Sequence, residues 1–312
     1  MLHEIEITEI DSLLDSDKKL VDLHTVLNIV NVLFGELQLL SCEFPDPQLF
    51  TPSLDRCEYI LEALYDSSKV VAMVESMAES EKLILDNVQI ALAQYTDKEE
   101  ISEVQLSIAN VRSVFEILEA RIRELVNRWQ SPNRWLEYEI EPLKQNFVDW
   151  LAAIAQNSKG RYRIVSNLVE HSDSSYFVAL NINSPTGKTI TIPPNFQDVM
   201  RDLLANSRKY SPLGGQIIID LRDDGKHLHF VIEDTGRGIP KEEITKVVNF
   251  GIRGSNVQNI RSMGGGMGLT KAFLVTKRFG GRMWIASAKD LGTKITIIIP
   301  NHHNYVDQLD QQ

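Results

Sequence analysis

The chain has 312 residues, 43% of them hydrophobic and 24% charged, with a net charge of −11. That length allows about two domains, and the composition excludes collagen-like and disordered classes. Two cysteines, Cys42 and Cys57, are too few for a disulfide framework and point to a reducing, cytoplasmic setting. Charge is divided unevenly: residues 1–135 hold 25 acidic against 11 basic side chains, and the remainder 18 against 21. An acidic half without a basic stripe argues against nucleic acid as a partner. It reads either as solvated helix faces or as a docking surface for a basic partner.

The opening MLHEIEITEIDSLLDSDKK is too acidic for a signal peptide, and no run nears the roughly 18 apolar residues of a membrane span. Leu20, Leu23, Leu27, Val30, Leu33, Leu37 and Leu40 then recur at helical spacing, predicting a helix from about 16 to 42. CEFPDPQLFTPS ends it. Ser53 and Asp55 offer caps for a helix from about 54 to 94, and a third helix spans about 99–129. After the break at SPN, a fourth helix is expected over about 134–157. Residues 1–135 thus read as an all-α bundle with a hairpin (16–94) and an additional long helix.

From about 160 the pattern changes. RYRIVSNL, YFVALNI and TITI read as short strands, FQDVMRDLLANSRKY as an amphipathic helix, and QIIIDLRDD with HLHFVIED as strands paired across a DDGK turn. A short helix KAFLVTKRF and two strands, RMWIASA and TKITIIIP, follow. The expected class is α+β: an N-terminal bundle, then an α/β sandwich over 136–301 with a mixed, largely antiparallel sheet and helices on one face. Residues 302–312 form a tail.

Three segments of this half carry chemistry. In DLLANSRKYSP, Asp202 and Asn206 share one helix face, with Lys209 and Tyr210 on the next turn. An asparagine oxygen is a hard ligand suited to Mg²⁺ that shares its shell with phosphates. In EDTGRGIP, Asp234 ends a strand and Gly236 and Gly238 permit a tight turn. An ionised aspartate, accepting only, suits an exocyclic amine such as that of adenine. In MGGGMGLTKAF, Gly264, Gly265, Gly266 and Gly268 open a helix, whose backbone N–H groups can hold phosphate.

In order, spacing and context these segments resemble the ATP-binding domain of the gyrase, chaperone and histidine-kinase superfamily, in its histidine-kinase form. DLLANSRKYSP is similar to that family's N box, DTGRGI to its G1 box, GGGMGL to its G2 box and LGTKITIIIP to its G3 strand. The resemblance implies ATP and Mg²⁺ as cofactors, with Asn206 on the metal and Asp202 assisting through water or, alternatively, activating one. It places Lys209 and Tyr210 against phosphate and ribose or ring, Asp234 on adenine, and Gly238 and Thr293 beside it. It also implies Gly264, Gly266 and Gly268 at the hinge of a lid over 240–263, Leu269 among the cofactor-binding residues, and Arg253 and Arg261 as phosphate contacts. The family's lid phenylalanine is replaced near Val248.

The same family presents a phosphoacceptor histidine on the first helix of a dimerising hairpin. HTVLNIVNVLFGELQLL resembles one subgroup's acceptor helix, with His24, Asn28, Gly35 and Leu39–Leu40 in the matching places. His24 is the expected nucleophile and Asn28 the residue that orients water for dephosphorylation. Thr25 stands where the family usually has an acidic residue, which leaves a second reading open: a catalytically weak scaffold or phosphatase that binds nucleotide. The implied partners are a response-regulator receiver domain, a second copy of the chain and an upstream sensor protein.

Overall fold

The computed structural model describes residues 1–96, 102–158, 160–260 and 265–301. It divides into two compact units, Asp15–Pro132 and Met1–Leu14 with Asn133–Gln312.

The first unit is all helical: α1 (Asp15–Cys42), a 3₁₀ turn (Pro47–Phe50), α2 (Thr51–Leu64), α3 (Ser67–Glu75), α4 (Met77–Gln94) and α5 (Ser102–Gln130). Helix α1 buries Leu23, Val26, Val30, Leu33, Leu37 and Leu40, a strict 3–4 alternation. Helix α5 buries Val104, Ile108, Val111, Phe115, Leu118, Ile122 and Leu125 at the same spacing. The two stripes join one apolar core, the geometry that seams of heptad type produce. Each fully buried leucine there contributes about 1.5–3 kcal/mol.

The single helix expected over 54–94 is three. Asp66 caps α3 by accepting from the Ser68 N–H at 3.0 Å, and Ser76 ends it, its N–H donating to Ala72 and Met73 carbonyls. The cap satisfies a first-turn N–H of α3, so a new helix can start there while the apolar period continues through it. Cys42 is exposed and Cys57 buried, which pushes the Cys57 thiol up to about 12. One correction concerns apolarity: among the described residues α1 is long and apolar enough, by length and composition, to cross a membrane, with an 18-residue window of mean hydropathy 1.4. In this fold one face of α1 lies in the helical core.

In the second unit the strands β1 (His3–Ile7), β3 (Arg163–Val165), β4 (Ser175–Asn183), β6 (Gln216–Asp223), β7 (His227–Asp234), β8 (Arg282–Ser287) and β9 (Thr293–Pro300) form one sheet in the order β1-β8-β9-β7-β6-β4-β3. The pairs β3/β4 and β4/β6 are parallel and the others antiparallel. This is the mixed, largely antiparallel sheet that the sequence implies. Along β7, Leu228, Phe230 and Ile232 are buried while His227, His229 and Val231 lie on the other face. The buried face packs against α6 (Ile140–Asn157), α7 (Pro194–Tyr210) and α8 (Gly268–Arg278) through Phe147, Phe196, Met200 and Phe273.

Two elements differ from expectation. The first fourteen residues, grouped with the bundle in the sequence reading, contribute the edge strand β1, with Ile5 opposite Ile285 and Glu6 bonded to Arg282 at 2.7 Å. The helix expected from 134 begins only at Ile140. Before it, β2 (Leu136–Glu139) pairs antiparallel with β5 (Thr189–Ile192), because LEYE alternates with period two and its backbone finds a partner in TITI.

Candidate nucleotide site and acceptor helix

Helix α7 starts on Pro194 in its first turn and ends with Arg208 and Lys209, both favourable placements against the helix dipole. Its apolar stripe, Phe196, Val199, Met200, Leu203 and Leu204, is buried. Asp202 and Asn206, beside that stripe, face the start of α8, and the next residue, Ser207, reaches the end of β7. There Asp234 is clamped. Ser207 Oγ donates to its Oδ2 at 2.9 Å and the Gly236 N–H to its Oδ1 at 2.9 Å. Burial pushes the Asp234 carboxyl above the usual aspartate range, against the lowering effect of Gly236, Ser207 and the Thr293 backbone. Thr293, at the start of β9, is in register with Asp234, and its Oγ1 lies 3.0 Å from Ser287 Oγ.

The turn after Asp234 is tight by necessity. Gly238 has φ +60°, and a Cβ there would stand 1.8 Å from the Ala288 carbonyl oxygen. Asn256 Nδ2 bonds the Gly238 carbonyl at 3.0 Å, tying this turn to the segment after it.

Helix α8 begins against α7. A Cβ on Gly268 would lie 2.9 Å from Asn206 Nδ2, so the N-box asparagine sits on the first turn of α8. Gly266, at φ +72°, passes within contact of the Gly251 backbone, and Thr270 Oγ1 donates to the Val248 carbonyl at 2.8 Å. Leu269 packs half-buried against the core and Val248 is fully buried. Gly264 and Arg261 lie outside the described residues.

Some side chains have companions that the sequence reading did not supply. Asp202 Oδ2 accepts from Lys271 Nζ at 3.0 Å, and Lys271, in α8, also lies 3.9 Å from Asp198. Lys271 and Asp198 are 4% and 5% exposed at the side chain, which makes this an internal ion cluster between α7 and α8. Arg201 stands 3.6 Å from the other Asp198 oxygen. Arg253 donates through Nη2 to the carbonyls of Val257 and Ile260, both at 2.8 Å. It therefore folds its own loop in this conformation. Lys209 Nζ rests 4.6 Å from the centroid of the Tyr210 ring.

His24 and Asn28 lie in the other unit, both half-buried on α1, with Asn28 Nδ2 3.2 Å from His24 Nε2. A Cβ on Gly35 would meet nothing within 4 Å, so packing within this chain does not demand the glycine. Leu39 is exposed and Leu40 buried.

One edge of the second unit thus gathers a clamped carboxylate, an asparagine amide against a helix start, and glycines where a backbone must come close. The segment that holds these features, residues 191–303, matches the family described as histidine kinase-, DNA gyrase B- and HSP90-like ATPase. The curated proteins that this region matches are named sensor histidine kinases. The chain is similar to sensor histidine kinase WalK of Bacillus subtilis, 31% identical over 36% of this chain and 19% of WalK. It is likewise similar to sensor histidine kinase Hik2 of Thermosynechococcus vestitus, 34% identical over 36% of this chain and 33% of Hik2. A solved structure of mycobacterial sensor histidine kinase MprB aligns with 54% of this chain and 97% of that chain, at 20% identity and a TM-score of 0.37. The chain spans about a fifth to a third of the length of these two curated relatives.

Proposed function

We propose that the chain is a signalling histidine kinase that uses ATP to phosphorylate His24 and passes the phosphoryl group to an aspartate of a response-regulator receiver domain. The observation that carries this reading is the Asp234 clamp beside Asn206 and the α8 start. Asp234 would accept from the adenine amine, a bond that needs its ionised form. The Asn206 amide oxygen, at the mouth of α8, would hold Mg²⁺, and the glycine-lined start of α8 would hold phosphate through backbone N–H groups. The residues fit both groups in kind: the Asn206 side chain lies beside the start of α8, with Nδ2 toward Gly268 and an oxygen that would turn to the ion, and there are backbone approaches that a Cβ would fill. Mg²⁺ would neutralise charge on the triphosphate oxygens.

The remaining chemistry belongs to His24. Its neutral ring nitrogen would form a bond to the γ-phosphorus as the bond to the bridging oxygen breaks and ADP leaves, the remaining ring N–H proton passing to solvent. Asp202, already paired with Lys271, is assigned a positioning role that fixes α7 against α8 more than a direct place on the metal. Lys209, Tyr210, Thr293 and Leu269 would contribute to the nucleotide site. Arg253 would reach phosphate only after leaving the Val257 and Ile260 carbonyls. We further propose a cytoplasmic homodimer that receives its input from an upstream sensor protein.

A second reading rests on α1 itself. The Asn28 amide sits on the His24 ring nitrogen, and Thr25 offers no carboxylate to take a proton. Both favour a weak kinase acting as a phosphatase or scaffold for the regulator. Incubation with Mg²⁺ and γ-labelled ATP separates the two readings. Acid-labile, alkali-stable label that is absent in His24→Ala establishes the kinase. A chain that binds ATP, stays unlabelled and strips phosphate from a phosphorylated regulator establishes the second reading.

A further inference from the structure

The β6–β7 hairpin lies at the opposite end of β7 from Asp234, about 23 Å away at the usual strand rise of about 3.3 Å per residue. It carries a cluster that the nucleotide chemistry does not use. The ligand atoms of Asp224, His227 and His229 all lie within 4.8 Å of one another. We propose that these three residues form a binding site for a borderline divalent transition ion, Zn²⁺ foremost.

The arrangement follows from local rules. His227 and His229 are two apart on β7 and therefore share the face turned away from the helices. Their ring centroids are 5.9 Å apart. Asp224 is fixed by the turn: its Oδ1 accepts from the His227 N–H at 2.7 Å and the Lys226 N–H at 2.9 Å. Those two donors hold its carboxyl well below the usual carboxylate range. Its Oδ2 is left facing His229 Nε2 at 2.8 Å. The turn is itself pinned, since Asp223 Oδ1 accepts from Asn301 Nδ2 at 3.0 Å and the Asn301 N–H donates to the Lys226 carbonyl at 2.8 Å.

Two imidazole nitrogens and one carboxylate oxygen suit Zn²⁺, Ni²⁺ or Co²⁺, whereas Mg²⁺ and Ca²⁺ prefer oxygen shells. A tetrahedral ion with ligands at about 2.0–2.2 Å needs them roughly 3.3–3.5 Å apart. Asp224 and His229, 2.8 Å apart, must open slightly, and the His227 nitrogen starts within 4.8 Å of both. All three are exposed or half-buried, so rotation of side chains suffices. The fourth position would hold water. Arg222 stands opposite His229 across β6, a nearby cation that limits affinity.

The test uses the untagged, chelator-stripped 312-residue chain titrated with Zn²⁺ against a chromophoric chelator, and with Co²⁺ followed by its visible spectrum. His227→Gln is the informative variant because it removes one ligand and leaves the Asp224–His229 pair intact. The expected result is one equivalent bound by the wild-type chain, with at least tenfold weaker binding in His227→Gln and in His229→Gln. Because both positions are on the solvent face, thermal unfolding without metal should be near wild type in His227→Gln. Absence of one-to-one binding overturns the proposal, as does binding unchanged in both variants. So does loss in a His302→Gln/His303→Gln chain with retention in His227→Gln, which would move the ion to the tail.

Discussion

Lys271 is the residue whose removal tests the site's architecture most directly. Its ammonium is 4% exposed between Asp202 at 3.0 Å and Asp198 at 3.9 Å. Lys271→Met keeps the length of the side chain and deletes the charge. Removing one partner of a buried ion pair costs about 3–5 kcal/mol, because the other charge stays buried without compensation. Asp202 is 23% exposed and Asp198 keeps Arg201 at 3.6 Å, so the lower end, about 3 kcal/mol, applies. At about 2–4 °C per kcal/mol for a unit of this size, the melting transition of the second unit should fall by about 6–12 °C. Scanning calorimetry of the full chain reads the shift. The decisive comparison is Asp202→Asn/Lys271→Met, which removes both charges and should recover a large part of the loss. A shift under 1 °C in the single variant would refute the reasoning. So would a double variant no more stable than the single, since the cost would then come from packing and not from a stranded carboxylate.

Two further outcomes follow from the clamp and the turn. Asp234→Asn removes an ionised acceptor; a hydrogen bond to a charged group contributes about 1.5–3 kcal/mol, so ATP affinity by calorimetric titration should drop at least tenfold. Burial holds the Asp234 pKa above the ordinary value, so the wild-type affinity should start to fall at a higher pH than about 3.9 as acid protonates the carboxylate, while Asp234→Asn stays flat. The effect of the same group on stability has the opposite sense: a raised folded-state pKa favours the folded chain below the unfolded value and loses that contribution as pH rises through the folded one. Gly238→Ala places a Cβ 1.8 Å from the Ala288 oxygen at φ +60°; strain of this kind costs about 1–3 kcal/mol or more, visible as a lowered melting temperature of the second unit.

What the sequence made legible was what local chemistry dictates. The 3–4 stripe of α1 marks a helix whatever it packs on, and the order of Asn206, Asp234 and the glycines marks the nucleotide class. Hidden features depend on distant partners. HEIEI alternates over five residues, too few to stand out, and its partner β8 lies at residues 282–287. LEYE is read as helix because a real helix begins at the next residue. Asp66 followed by two serines was a legible cap, outweighed by the apolar period on either side.

Lys271 shows the limit most clearly. In TKAFLVTKRF a lysine reads as the solvated side of an amphipathic helix, as Lys277 does one and a half turns on. Only the presence of two carboxylates on α7, about 70 residues earlier, makes its burial affordable. Asp202 then changes meaning as well. Read by itself beside Asn206 it is a metal-side carboxylate; beside Lys271 it is half of an internal ion pair that joins the N-box helix to the glycine-started helix. The two helices whose ends would hold metal and phosphate are thus joined by an ion pair whose carboxylate, Asp202, lies beside Gly268 at the start of α8.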